Sequence, residues 1–333
     1  MPGRDDAYAG KRVLITGGLG FIGSNLALTL VDRGAAVTVL DAMRPAYGAR
    51  LFNVEPIRNR IRINFADLCD STALRYVVRD QDYVFNLAGQ VSHLRSMLDP
   101  VTDLDNNCRS QLSLLECCRA VSPAATLVLA STRQVYGRPL HLPVDETHPT
   151  VPVDVNGIHK LAAELYYALY ARVYGLRTVT LRLTNTYGPR MDLSSPDKGF
   201  VGIFLRQALT GGTLQIFGSG EQRRDFNYVD DVVEALLRAG TCSAASGGVY
   251  NLGHPHPRSL LDFVRLLQTL TACRYERVPF PEGQRAIDIG DYCGDFRKLL
   301  SVTGWSPQVD LEEGLHKTVQ FFREHAEHYL HSG

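Results

Sequence analysis

The segment VDVNGIHKLAAELYY, Val153 to Tyr167, places a lysine and an amide one helical turn apart. Lys160 is set to point at a cofactor from such a helix. Four residues earlier, on the same face, a proton-transferring side chain is expected, and Asn156 stands there. An amide has no proton to lose near neutral pH. It can donate from its nitrogen, polarise a carbonyl or hold a hydroxyl, but it cannot be a general base. A second chemistry-bearing stretch, TGGLGFIGSN, supplies Gly17, Gly20 and Gly23 directly after an apolar run and at the start of a helical pattern. Gly17 permits a tight turn, Gly20 lets backbone amides approach a pyrophosphate, and Gly23 lets the helix pack on the strand. The helix N-terminus then meets the phosphate charge. Asp41 ends the next strand pattern, where a carboxylate accepts bonds from ribose hydroxyls and repels a 2′-phosphate. That favours NAD over NADP, although Arg44 close behind works against the preference.

The elements that must position these residues follow an α/β alternation. RVLIT (12–16), AVTVL (36–40), a strand near Ile61, YVFNLAG (83–89), TLVLAST (126–132) and TVTLRL (178–183) read as strands. Helical patterns run over about 21–33, 101–120 and the Lys160 segment. This predicts a Rossmann-type doubly wound parallel sheet with right-handed crossovers and helices on both faces. After about Tyr187 the pattern loosens through GPRMDLSSPDKG into short strands (LQIF, VYNLG) and helices near 229–238 and 260–270. The expected division is an NAD-binding domain over 1–187, with later segments returning to it, and a smaller interwoven lobe over 188–333. The chain has 333 residues, formal net charge +0 and 21% charged residues, so no global field draws nucleic acid or an anionic membrane. No apolar run is long enough to span a bilayer, and the first ten residues read as a short flexible leader without a signal-peptide core. Seven cysteines without metal-type spacing imply reduced thiols, no metal site and a cytoplasmic protein.

Several further motifs coincide. Asp67-Leu68 follows the third strand, and Asn86-Leu87-Ala88-Gly89 ends the fourth. Asn107 precedes a Leu-Leu-Glu, and Ser131-Thr132 leads to Val135-Tyr136-Gly137. Later come Asn185-x-Tyr187-Gly188-Pro189, then Arg224-Asp225-Phe226-x-Tyr228-Val229-x-Asp231, Arg285 with Asp288, and Gly304-Trp305. In this order, with Gly17-x-x-Gly20-x-x-Gly23, the chain resembles the extended short-chain dehydrogenase/reductases. Within them it resembles the nucleotide-sugar epimerases and dehydratases of the UDP-glucose 4-epimerase type, from Lys11 to about Phe322. The resemblance implies a tightly bound NAD that takes a hydride from a sugar carbon and returns it. It implies cofactor contacts from Gly17, Gly20, Phe21, Ile22, Gly23, Asp41, Asp67, Leu68, Leu87, Ala88 and Lys160. It also implies that Asn185, Arg224 and Arg285 hold the diphosphate of a nucleotide-diphosphate sugar. Phe200 and Val201 would line the base pocket, with plain core packing the alternative.

Members of this family work with a Ser or Thr, a Tyr and a Lys. Thr132 fits the first role and Lys160 the last, while Asn156 replaces the Tyr. A missing acid/base forfeits about a hundred- to ten-thousand-fold in rate. Three explanations stand: another residue carries the proton, the substrate brings its own acidic group, or catalysis is lost. His93, after the NLAGQVS loop, is the leading replacement. Tyr136 and Tyr187 read as packing residues. His159, adjacent to Lys160 in sequence, does not share its face. Each histidine has an ordinary alternative as a solvated or satisfied side chain. Family 4,6-dehydratases carry an acidic residue at the second place after the Thr, often in an Asp-Glu pair; here the pair is Arg133-Gln134. Dehydration therefore ranks below epimerisation, and Arg133 suggests a charged group on the substrate, such as a carboxylate, against the alternative of a structural ion pair. The expectation is an NAD-dependent nucleotide-sugar epimerase inverting C4 through a transient ketone. Dehydration, decarboxylation, simple oxidation or binding without turnover are the alternatives. In the family the 101–120 helix and the Lys160 helix form a four-helix dimer contact. Leu165, Tyr166, Ala168 and Leu169 supply apolar surface for such a homodimer, the alternative being that they pack on the sheet.

Overall fold

A computed structural model describes residues 7–44, 47–194, 199–281 and 287–330. Arg285 lies outside the described residues, as do the first six residues of the expected leader.

Six apolar runs pair side by side as parallel strands: β1 (Arg12–Thr16), β2 (Ala36–Asp41), β3 (Arg62–Phe65), β4 (Tyr83–Asn86), β5 (Thr126–Thr132) and β6 (Arg177–Leu183). A short later strand, Val249–Asn251, adds to β6 in parallel and completes a seven-stranded sheet. Across the sheet the strands lie in the order β3-β2-β1-β4-β5-β6 and then this late strand, so the order reverses between β1 and β4. A crevice at the carboxyl ends of the strands is the geometric consequence of that reversal.

Side-chain alternation divides the core. Val13, Ile15, Val37, Val39 and Phe85 face one layer with Leu26 and Leu30 of α1 (Phe21–Asp32). Leu14, Leu40, Val84, Leu127 and Leu129 face the other. There they meet Leu74 of α2 (Ser71–Val78), Leu114 of α5 (Ser110–Val121) and Tyr167 of α6 (Val155–Tyr174). Each such side chain, fully withdrawn from water, contributes about 1.5–3 kcal/mol. The helices thus cover both faces of the sheet.

Several expectations change. The fourth strand stops at Asn86, because Leu87 to Gly89 turn away to form a crevice wall. The helix expected over 101–120 forms as one continuous helical run, but with a π-helical turn inside it. Its pieces are α4 (Pro100–Leu104), a π-helical turn over Asp105–Arg109, and α5. The wide turn buries Asn107, whose side-chain nitrogen donates to Gln90 O at 3.0 Å. Sequence periodicity missed α2 and α3 (His93–Leu98), both short, and α7 (Phe200–Leu209). The leader expectation fails at Tyr8. Its ring is buried against Tyr83 and Phe85, and its hydroxyl donates to Leu237 O at 2.8 Å.

Candidate active site

The sheet's order reversal opens into a cleft of about 430 Å³. Its cofactor wall follows from backbone demands. Gly17 sits at φ +68°, and a Cβ there would lie 2.9 Å from the Ala88 backbone. A Cβ on Gly23 would lie 2.3 Å from Gly17 O, so helix and turn close only on glycine. Gly20 is the N-cap of α1 and lines the cleft, with no side chain between its amides and the space beyond. Asp41 ends β2 on the same wall, its oxygens accepting from Leu19 N at 3.0 Å and Met43 N at 2.9 Å. Burial pushes its pKa up, against those two bonds. Arg44 is committed to Asp67, Nη2 to Oδ2 at 2.7 Å, so it is not left as an unpaired cation for a 2′-phosphate. Phe21, Ile22, Leu68, Leu87 and Ala88 complete this wall.

The reaction end is built by β5, α3 and α6. Burial lowers the pKa of Lys160 to about 8, with Asp103 and Glu164 opposing the fall. Its Nζ lies 2.9 Å from where a Cβ on Gly89 would stand, so Gly89 is the gap through which the lysine reaches the cleft. Behind it, Glu164 takes Arg182 Nη2 at 2.6 Å and Nε at 3.1 Å, and accepts from Ser131. This buried pair locks α6 to β5 and β6, fixing Lys160 relative to Thr132. Thr132 lines the cleft, its Oγ1 accepting from Gln134 N at 3.2 Å.

Asn156 is buried and also lines the cleft. Its amide nitrogen donates to Gln90 O at 2.9 Å and to Asp103 Oδ2 at 3.2 Å. Two acceptors on one nitrogen fix the amide's orientation and leave the side-chain oxygen as its remaining polar atom. Asn156 therefore offers an acceptor and no spare donor. His159 does not line the cleft; its Nδ1 meets Asp103 Oδ1 at 2.8 Å. Tyr136 and Tyr187 are buried, their hydroxyls donating to Asn251 Oδ1 at 2.7 Å and to Asp310 O at 3.3 Å.

His93 lines the same cleft, and its Nδ1 stands 3.0 Å from Asp154 Oδ2. The approach is close but poorly aligned for a hydrogen bond. Asp154 is the N-cap of α6, accepting from Gly157 N at 2.6 Å and Gln134 Nε2 at 3.0 Å. Burial alone would raise its pKa. His93, the Gly157 amide and Gln134 outweigh that and hold it below the ordinary carboxylate range. The carboxylate charge beside Nδ1 favours the imidazole proton on that side and leaves Nε2 toward the cleft as the base. Sequence reasoning found His93 but missed Asp154. The helix-capping preference for Asp ahead of Val155 was its one local signal. Nothing local marks Asp103.

At the substrate end, Arg133, Asn185, Phe200 and Val201 line the cleft. Asn185 spends one amide N–H on Asp225 O at 3.0 Å. Phe200 half-packs among Phe204, Phe226 and Phe263, so it serves core and cleft together. Arg224 is not among the residues lining the cleft. It is buried behind it, Nη2 at 3.6 Å from Asp288 Oδ1, and burial lowers its pKa to about 10.

Fold, glycine cradle and Asp41 define a dinucleotide-binding α/β protein whose residues fit NAD. Comparison with known proteins narrows this. Residues 13–253 match the NAD dependent epimerase/dehydratase family, and the chain belongs to it. The chain is 35% identical over 323 residues to UDP-glucuronic acid decarboxylase 1 of Danio rerio, covering 96% of this chain and 74% of that one. It is 34% identical over 317 residues to UDP-glucose 4-epimerase of Mycolicibacterium smegmatis, covering 94% and 98%. Among solved structures, the UDP-glucose 4-epimerase of Thermotoga maritima with UDP-glucose superposes with a TM-score of 0.85 at 32% identity, covering 95% and 99%. The Thermus thermophilus enzyme with NAD does so at 0.83 and 32%, covering 94% and 99%. NAD is the cofactor of this fold and family.

Proposed function

We propose that the protein is an NAD-dependent nucleotide-sugar epimerase that inverts C4 through a transient keto-sugar. The observation that carries this reading is a single cleft holding the glycine cradle and Asp41 at one end and Thr132, Lys160 and a His93–Asp154 pair at the other. NAD, when bound, supplies a reversible hydride acceptor. The protein's residues do the rest. Gly17, Gly20 and Gly23 bring amides to the pyrophosphate, and Asp41 accepts from the adenine ribose. Lys160 holds the nicotinamide ribose. Thr132 orients the sugar hydroxyl, and the Asn156 side-chain oxygen accepts from a second hydroxyl. His93 Nε2 takes the hydroxyl proton and returns it, with Asp154 stabilising the charged imidazole. Asn185 and Arg285 anchor the diphosphate, with Arg224 lending its charge from behind the cleft, and Phe200 and Val201 border the base.

In this reading residues 1–187 carry the cofactor and 188–333 the nucleotide sugar, with Val249–Asn251 returned to the sheet. A homodimer is favoured by exposed Leu165 and Leu169 on α6 beside exposed Leu98, Val101 and Leu104. Tyr167 and Ala163, not these leucines, face the sheet. Among the described residues no helix is long and apolar enough to cross a membrane. A cytoplasmic enzyme that binds neither membrane nor nucleic acid fits this and the neutral charge. Decarboxylation is the second reading, favoured by the identity to UDP-glucuronic acid decarboxylases. The test is mass spectrometry of co-purified NAD with NMR of a nucleotide-sugar panel. A new sugar of unchanged mass is expected. A product lighter by carbon dioxide would replace epimerisation with decarboxylation, and absence of both NAD and conversion would end the enzyme reading.

A further inference from the structure

Arg133 follows Thr132 directly and lines the same cleft as His93 and Asn156. Its guanidinium lies 5.5 Å from the centroid of the Tyr292 ring, which fixes its direction. Its Nε is buried with no partner, and no hydrogen bond or ion pair holds the group among the described residues. The nearby acids are already committed. Asp225 accepts from Thr184 Oγ1 at 2.6 Å and Gly294 N at 2.9 Å, and Asp288 faces Arg224. Arg133 and Arg224 weigh on each other as like charges, and burial holds Arg133 below the ordinary guanidinium range. Asp225 and Asp288 offset part of that burial through space, but neither pairs with the guanidinium, and a desolvated cation without a bonded anion is costly unless a ligand supplies one. Arg224 stands behind the cleft where Arg133 stands in it, beside the residue proposed to orient the reacting hydroxyl.

We propose that Arg133 is a specificity-determining residue that takes a carboxylate carried by the sugar ring, so that the substrate is a nucleotide-linked uronic acid. This rests on the nucleotide-sugar reading above. The planar guanidinium matches a carboxylate by two parallel N–H donors, which a neutral hydroxymethyl cannot satisfy. Full charge pairing also opposes loss of carbon dioxide. The transition state of that loss moves charge off the carboxylate, so Arg133 stabilises the starting state more. The acid group is thereby held through an epimerisation.

The test compares binding of UDP-glucuronate with UDP-glucose, and of the thymidine-linked pair, by calorimetry on NAD-loaded protein. Arg133→Met and Arg133→Lys are measured alongside. The uronate is expected to bind roughly ten- to a hundred-fold more tightly than its neutral partner. Arg133→Met should erase that ratio by weakening the uronate far more than the neutral sugar, and Arg133→Lys should restore part of it. Equal binding of the two sugars by the unaltered protein overturns the inference. So does an equal loss of both in Arg133→Met, which would place Arg133 on the common diphosphate; either result leaves the nucleotide-sugar reading standing. No binding of any of the four sugars overturns that reading and this inference together.

Discussion

Replacing His93 by Gln separates the proposed proton carrier from the fold around it. The imidazole is 35% exposed in the cleft, while the Asp154 side chain behind it is fully sealed. Without the ring, Asp154 still accepts from Gly157 N at 2.6 Å and Gln134 Nε2 at 3.0 Å, so no buried charge is stranded. The stability loss therefore stays at about 1 kcal/mol or less. The cofactor wall lies on β1, β2 and α1, so NAD affinity should hold. Turnover should fall by roughly a hundred- to ten-thousand-fold, the contribution of a positioned acid/base, with KM little changed. Asp154→Asn keeps the helix cap and the imidazole but loses the charge, and should cost less than His93→Gln. Initial rates by NMR, with thermal melts and NAD titration on each variant, give the answer. A His93→Gln enzyme within about threefold of the parent rate would refute the proton-carrier assignment.

Other outcomes follow from the same geometry. Asn156→Tyr strips Gln90 O and Asp103 of their shared donor and forces a larger ring into a buried slot. It should lower stability by about 1–3 kcal/mol, read by denaturant unfolding, and should not raise turnover. Lys160 has a pKa of about 8, so its ammonium is present below that pH and lost above it. NAD affinity should weaken as pH rises through this value in fluorescence titrations, and Lys160→Met should flatten the profile. Asp154 is depressed in the folded state, so its stabilisation is present above the unfolded carboxylate pKa of ~3.9 and lost as pH falls through the lower folded value. His93→Gln raises that folded value, and acid melts should then show unfolding beginning at higher pH. Asp67→Asn frees Arg44 and should shift the NAD to NADP affinity ratio toward NADP.

The cofactor wall was legible because its demands are local. A positive φ at Gly17 and the contact of Gly23 on Gly17 O are written into glycine at those positions. Lys160 was legible for the same reason, since the pattern of one helix sets its direction. The partners that give the reaction end its chemistry were not legible. Asp154 meets His93 only because α3 packs beside α6, and Asp103 orients Asn156 from a short helix ahead of a π-turn. Periodicity ran Val101 to Ala120 into one helix and hid that turn. Tyr8 reads as leader in the sequence because its strand and helix partners are remote along the chain.

In the proposed reaction a hydride relay is completed without a phenol in the slot of Asn156. It is tested most directly by giving the NAD-loaded protein a nucleotide sugar deuterated at C4 and following the label by NMR and mass. A C4 epimer of unchanged mass, with the deuterium still on C4, is expected. Conversion with the label lost to solvent, or no conversion of any sugar by NAD-loaded protein, would contradict the relay.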